Sequence, residues 1–274
     1  MSARLMSDVY LFGHPVAHSL SPAMHNAAFK ALGLPHRYSA LDVEPDRLVN
    51  AMTTLRHGDA LGANVTIPHK EAAVRMVDEQ SDEVRATGAL NTIVRRGSRL
   101  VGANTDVDGF SASLVVDGQR LLGAGTVLVL GAGGAARACV YALLQQGVEV
   151  LVANRSADRL ESLARSLELH GRRARVVPWP RAAEALRVDG VVNATPLGMR
   201  GEDPLDGLGL PPVVVDIVPT AKETPLVKRA RATENVTVVD GLSMLLHQAA
   251  RSFELWTGVP APLEVMRAAL PRAA

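Results

Sequence analysis

Two spacings alternate along this chain. Short apolar runs bounded by Gly, Pro, Asn or Asp read as strands, and apolar residues recurring every three or four positions read as helices. Strand patterns cover residues 9–13, 37–42 and 61–66, and helix patterns cover 22–32 and 47–56. Ser21 stands where an N-cap is expected, and Pro22 at the first helical position, where its missing N–H costs nothing. A further helix is expected from Pro68, with Val74 and Val77 on its apolar side. Residues 91–95 and 100–103 flank a Gly-containing turn and predict a hairpin. A helix over 106–116 leads into a second alternating region, with strands near Thr126, Val148, Arg175, Gly190, Val213 and Val236. Such alternation implies βαβ units and mainly parallel pairing. The tail, 241–270, reads as helices broken around Gly258-Val259-Pro260.

The most informative stretch is the apolar run 127–130 leading into Gly131-Ala-Gly-Gly-Ala-Ala-Arg-Ala138. Glycines there allow a tight turn and a close backbone approach to a diphosphate, and the N–H groups of the new helix face phosphate charge. Gly131, Gly133, Gly134 and Ala135 are the candidate phosphate-binding residues. One helix later, strand 148–153 ends in Asn154-Arg155-Ser156, with Arg159 one turn on. An NAD site usually carries a carboxylate at that point for the ribose 2′-hydroxyl. A guanidinium instead pairs with a 2′-phosphate. The expected cofactor is therefore NADP(H), with Asn154, Arg155, Ser156 and Arg159 around its 2′-phosphate. The predicted fold class is α/β with two domains. An N-terminal α/β substrate domain with a mainly parallel sheet spans 1–106, and a Rossmann-type NADP-binding domain spans 107–240. C-terminal helices at 241–274 return to the first domain.

Bulk properties remove several alternatives. In 274 residues, 29 basic and 28 acidic side chains leave a net charge of +1. That is no electrostatic footprint for nucleic acid or an anionic membrane. The single cysteine, Cys139, falls at a helical position and reads as packing. No apolar run approaches membrane-spanning length, and none near the start reads as a signal peptide. These features predict a cytoplasmic protein, monomeric or a homodimer, whose partner is a small molecule. His14, His18, His25 and His69 show no metal-ligand spacing, so no metal is expected.

Polar clusters recur at the element junctions of the first domain. Ser19 and Ser21 place two hydroxyls at a helix start, an arrangement suited to a carboxylate, although Ser21 could act as a cap alone. Asn64 and Thr66 fall on one face of a strand. Lys70 follows in what should be the first turn of a helix, where a cation opposes the dipole and is better explained by acid–base work than by stability. A solvated lysine is the plain alternative. Asn91, Thr92, Asn104, Thr105 and Asp106 add amides, hydroxyls and one carboxylate, and Asp106 could simply cap its helix. On residue type alone, Gln248 reads as a surface position and Trp256 as core.

Taken together these residues resemble the shikimate dehydrogenase family. The resemblance runs through nearly the whole chain: Gly13-His-Pro-Val-Ala-His18-Ser19-Leu-Ser21-Pro-Ala-Met-His25-Asn26, Asn64-Val-Thr-Ile-Pro68-His-Lys70, Gly88-Ala-Leu-Asn91-Thr92, Asn104-Thr-Asp106, the glycine turn, Asn154-Arg155, Asn193-Ala-Thr195-Pro-Leu-Gly198-Met199, Gly241-Leu-Ser-Met244-Leu-Leu-His-Gln248 and Leu255-Trp256-Thr257-Gly258. It implies reversible NADPH-dependent reduction of 3-dehydroshikimate to shikimate in aromatic amino-acid biosynthesis. By family role, Lys70 and Asp106 are the catalytic pair, and Ser19 and Ser21 hold the carboxylate. Asn64, Thr66, Asn91 and Gln248 help bind the ring hydroxyls. Thr195, Ile217, Gly241 and Met244 join the cofactor site. One departure stands out: Pro219 occupies the position where the family usually has a substrate-contacting tyrosine. It keeps open a paralogue acting on quinate or another shikimate-like acid. A non-catalytic NADP(H)-binding sensor is the remaining alternative, which the intact Lys70 and Asp106 oppose.

Overall fold

In the computed structural model, which describes residues 7–168, 171, 173–177, 179 and 187–271, the N-terminal part forms a six-stranded sheet. Its strands are β1 (Asp8–Gly13), β2 (Arg37–Asp42), β3 (Gly62–Val65), β4 (Glu79–Gln80), β5 (Thr92–Arg96) and β6 (Arg99–Ala103), in the order β2-β1-β3-β5-β6-β4. β1 pairs in parallel with β2 and β3, and β4 with β6; the predicted hairpin β5–β6 and the β3–β5 ladder are antiparallel. The sheet is thus mixed. Helices α1 (Ser21–Ala31), α2 (Leu48–His57) and α3 (Asp82–Thr87) complete this region. Phe12, Leu48, Leu55, Val65 and Ile93 meet in one buried cluster, with Val74 and Val77 packed against it.

Two local expectations fail for identifiable reasons. Among the described residues, no α-helix starts at Pro68. His69 N–H turns back to Thr66 O at 2.9 Å, and Lys70 O accepts from Leu90 N–H at 2.9 Å. With that carbonyl committed to a distant segment, only a short 3₁₀ stretch, Ala72–Met76, forms. Lys70 therefore sits in a turn, and its charge does not face the dipole of an α-helix. Nor is Ser21 the N-cap of α1. Leu20 is, and the Ser19 hydroxyl accepts from Ser21 N–H at 3.3 Å.

The second alternating region begins with α4 (Thr105–Ser113), shorter than the expected 106–116. Val115–Val116 (β7) instead pairs with Gln119–Arg120 (β8) across Asp117-Gly118, both at positive φ. This Asp-Gly turn favours a tight hairpin. Next come β9 (Thr126–Leu130), α5 (Gly134–Gln145), β10 (Glu149–Ala153), α6 (Ala157–Glu168), β11 (Arg175–Val176), β12 (Gly190–Asn193), β13 (Val213–Asp216), α7 (Pro225–Arg231) and β14 (Thr237–Val239). The sheet runs β11-β10-β9-β12-β13-β14, parallel throughout. That is the doubly wound order of dinucleotide-binding domains, in which ligands sit beyond the strand C-termini. Leu128, Val191, Val214 and Leu226 form its buried core, and Cys139 is buried on α5.

α8 (Gly241–Thr257) and α9 (Leu263–Ala268) close the chain. By contact the chain divides into two units, one running to Thr105 and including Leu246–Pro271, the other spanning Asp106–Leu245. Most of α8 and all of α9 therefore belong with the first sheet. Trp256 is buried there, its indole N–H donating to Ile93 O at 2.9 Å.

Candidate functional site

The first unit gathers its polar side chains at one buried hydrogen-bonded cluster. The register pairs Asn64 on β3 with Thr92 on β5, so both side chains stand on one face of the sheet. Asn64 Nδ2 lies 3.0 Å from Thr92 Oγ1, 3.0 Å from Asn91 O and 3.1 Å from Ser252 Oγ on α8. Its Oδ1 accepts from the Tyr38 hydroxyl at 2.7 Å. Thr105 N–H donates to Asn91 Oδ1 at 2.7 Å, which fixes the orientation of that amide. Asn91 Nδ2 then donates to Thr105 Oγ1 at 2.9 Å and to Gln248 Oε1 at 3.1 Å. Asn64, Asn91 and Gln248, all under 9% exposed, are thereby joined in one network with Thr92, Thr105 and Ser252. Buried polar groups are stable only when satisfied, so such a network specifies one arrangement.

The other candidates sit at or beside element ends. Ser21 is buried at the start of α1, while Ser19 is half-buried. Thr66 follows β3, half-buried, with its N–H bonded to Phe12 O at 2.8 Å. Lys70 is half-buried, and its carbonyl bond to Leu90 draws its main chain beside the residue preceding Asn91. Asp106 is buried in the first turn of α4, directly after the anchored Thr105. Gln248 is not the surface residue its type suggests: its partner Asn91 lies 157 positions away. Tyr38 and Ser252, which sequence reasoning misses, carry no motif, and no local signal marks them. His25, with no exposed surface, stacks on Tyr38 with ring centroids 4.3 Å apart, and burial depresses its pKa to about 3.

In the second unit the candidate cofactor residues lie at the C-terminal ends of the parallel strands. Gly131 follows β9 at φ +117°, and a Cβ there would meet Ala194 O at 2.8 Å, so only glycine fits. Gly133 is the extended N-cap of α5; no side chain caps this helix, and no acidic residue lies in its first turn, which Gly134 and Ala135 open. A Cβ on Gly133 would lie 4.0 Å from Arg159 Nη1, which places a guanidinium beside the glycine turn. Asn154 follows β10 and donates to Ser156 O at 3.1 Å; the Ser156 hydroxyl accepts from Arg159 N–H at 3.4 Å. Arg155 and Arg159 are exposed. A glycine cradle, with an asparagine and an arginine rather than a carboxylate directly after β10, suits a diphosphate and a 2′-phosphate.

The ends of β12 and β13 are locked together. Asn193 Oδ1 accepts from the Thr195 hydroxyl at 2.7 Å, and its Nδ2 donates to Asp216 Oδ1 at 3.0 Å. Asp216 also accepts from Thr224 Oγ1 at 2.6 Å and Val218 N–H at 3.2 Å, and burial raises its pKa. This holds the half-buried Ile217 and the exposed Pro219 on a braced loop. Gly241 packs against that loop so closely that a Cβ would lie 2.5 Å from Val218 O. Met244 is buried one turn further on. Among the described residues no group of three or more His, Cys, Asp or Glu is disposed to hold a metal, and no helix is long and apolar enough to cross a membrane.

Comparison with known proteins agrees along the length of the chain. Residues 11–93 match the shikimate dehydrogenase substrate binding domain, 117–196 the shikimate / quinate 5-dehydrogenase family, and 241–270 the shikimate 5′-dehydrogenase C-terminal domain. The shikimate dehydrogenase (NADP(+)) of Symbiobacterium thermophilum is 47% identical over 271 residues, covering 94% of this chain and 92% of its own. That of Salinibacter ruber is 45% identical, covering 92% and 93%. Among solved structures, shikimate 5-dehydrogenase from Thermus thermophilus in complex with NADP(H) and shikimate superposes with a TM-score of 0.83 at 38% identity, covering 96% of this chain and 98% of that one. On identity over nearly its full length and on the order of its motifs, this chain belongs to the shikimate dehydrogenase family.

Proposed function

We propose that this chain catalyses the reversible NADPH-dependent reduction of 3-dehydroshikimate to shikimate. The observation that carries the reading is the buried amide and hydroxyl network of the first unit, in a chain this similar to proteins named shikimate dehydrogenase (NADP(+)). Uncharged, pre-oriented hydrogen-bonders suit a small polyhydroxylated acid, because a ligand lacking a matching hydroxyl leaves buried partners unpaired. The substrate domain corresponds to the first unit and the cofactor domain to the second.

In this reading Ser19 and Ser21 hold the carboxylate, and Thr66, Asn91 and Gln248 hold ring hydroxyls. Asn64, its amide engaged at both ends, braces Asn91 and Thr92 from within. NADPH, held by Gly131, Gly133, Gly134 and Ala135 at the diphosphate and by Asn154, Arg155, Ser156 and Arg159 at the 2′-phosphate, supplies hydride to the ketone carbon. Thr195, Ile217, Gly241 and Met244 border it. Lys70 gives a proton to the developing alkoxide and stabilises its charge, with Asp106 assisting. In the reverse direction Lys70 takes that proton back.

A second reading rests on Pro219, which puts a ring without an N–H or hydroxyl where the family usually places a tyrosine. It points to weaker shikimate binding than the family norm, or to a preference for quinate. Steady-state rates with shikimate and quinate, each with NADP and NAD, decide. The highest kcat/KM is expected for shikimate with NADP. A higher value for quinate establishes the second reading, and no turnover with either acid refutes both.

A further inference from the structure

Tyr38 lies in no motif, yet its phenol holds one amide of the site proposed above. The side chain is 2% exposed and stacked on His25 at an interplanar angle of 12°, so the ring plane is fixed. Its hydroxyl donates to Asn64 Oδ1 at 2.7 Å. Burial pushes the phenol's pKa up, so it keeps its single proton, and that proton is directed at Asn64. Beyond Asn64 the chain of bonds continues. Asn64 Nδ2 donates to Thr92 Oγ1, Thr92 Oγ1 to Asn91 Oδ1 at 3.0 Å, and Asn91 Nδ2 to Gln248 Oε1. A continuous buried relay thus runs from the phenol to the amides assigned to the substrate's ring hydroxyls.

We propose that Tyr38 is a positioning residue whose hydroxyl orients Asn64 and, through it, the ring-hydroxyl recognition at Asn91 and Gln248. Without the phenol O–H, the Asn64 carbonyl loses its donor and the amide is free to reorient. The errors then propagate along the relay to the amides assigned to the ring hydroxyls, because supporting hydrogen bonds set the geometry of binding groups. None of these residues lies among those assigned to the cofactor, so its binding is expected to be untouched.

The inference rests on the proposed function, and the test separates the two. Wild type and Tyr38→Phe are assayed together on shikimate with NADP. Wild-type turnover tests the function, and the ratio of variant to wild type tests Tyr38. Loss of one net hydrogen bond predicts a KM for shikimate raised roughly 3–10-fold. kcat should stay within about twofold and the KM for NADP should not move, as expected when uniform binding alone is lost. An unchanged KM for shikimate, or a parallel rise in both KM values, overturns the proposal. If Tyr38→Phe does not fold, 3-fluorotyrosine at position 38 keeps the hydroxyl and reports on it directly. Its ¹⁹F resonance should shift on saturation with shikimate, and a resonance that stays in place overturns the proposal equally.

Discussion

Replacing Asp216 separates two roles of one buried carboxylate. It has no exposed surface and accepts three hydrogen bonds, from Asn193 and Val218 at Oδ1 and from Thr224 at Oδ2. Asp216→Ala leaves these three donors without their acceptor. At about 1 kcal/mol net per bond the loss is roughly 3 kcal/mol. For a unit of this size that lowers the melting temperature by roughly 6–12 °C. Asp216→Asn behaves differently. Its oxygen can keep the bonds at Oδ1, and its amide nitrogen can donate to Thr224 Oγ1. It also removes a charge whose burial is unfavourable. Because burial raises the pKa in the folded state, the native protein holds this proton more tightly than the unfolded chain. Its contribution is complete below the unfolded value, about 3.9, and is lost as pH rises to the folded value. Above the unfolded value the wild type carries a penalty that the Asn variant does not. Thermal melts followed by far-UV circular dichroism from pH 3 to 8 should show Asp216→Asn melting at or above wild type at pH 7, with the gap closing below about pH 4. Asp216→Ala should melt well below both at neutral pH. An Asn variant as unstable as Ala at pH 7 would refute the reasoning, since the ionised oxygen would then be what holds the loop.

His25 titrates at about 3 when folded, below its ordinary value of about 6.5, so stability present above pH 6.5 is lost as pH falls toward 3, by up to about 1.4 kcal/mol per pH unit. His25→Phe should flatten that acid slope in urea-unfolding measurements; an unchanged slope assigns it to other groups. Arg155→Asp should raise the KM for NADP at least about tenfold more than the KM for NAD, at roughly the scale of one lost charge-assisted bond. Equal changes in both would mean that this side chain does not read the 2′-phosphate. Gly241→Ala drives a Cβ against the Val218 carbonyl, so the loop after β13 must move. Its predicted signature is weaker NADP binding in calorimetry, with heat of shikimate binding retained.

Much of this architecture is legible in the sequence because it rests on local chemistry. The glycine turn between β9 and α5, the missing carboxylate after β10 and the six strand patterns of the second unit all lie within short windows. The Asp117-Gly118 hairpin is equally local, but the apolar Val115 and Val116 extend the preceding helical pattern and mask it. What sequence does not supply are the long-range partners. Lys70 leaves its expected helix because its carbonyl finds Leu90, and Gln248 is buried by Asn91. Ser252 reaches Asn64 across 188 positions, and Tyr38 reaches it across 26, with no periodicity to mark either pairing. Ser19 and Ser21 do form a pair at a helix start, but not with Ser21 as the cap, since one residue of register decides which hydroxyl faces the backbone.

The central claim is that Lys70 moves the proton in a hydride-transfer reaction on shikimate, and turnover of Lys70→Ala tests it most directly. Measured at saturating shikimate and NADP, kcat should fall by the ~10²–10⁴-fold typical of general acid–base catalysis, with a smaller change in KM for shikimate and none in KM for NADP. Turnover within about threefold of wild type would contradict the account and leave Lys70 as an ordinary half-buried lysine in a turn.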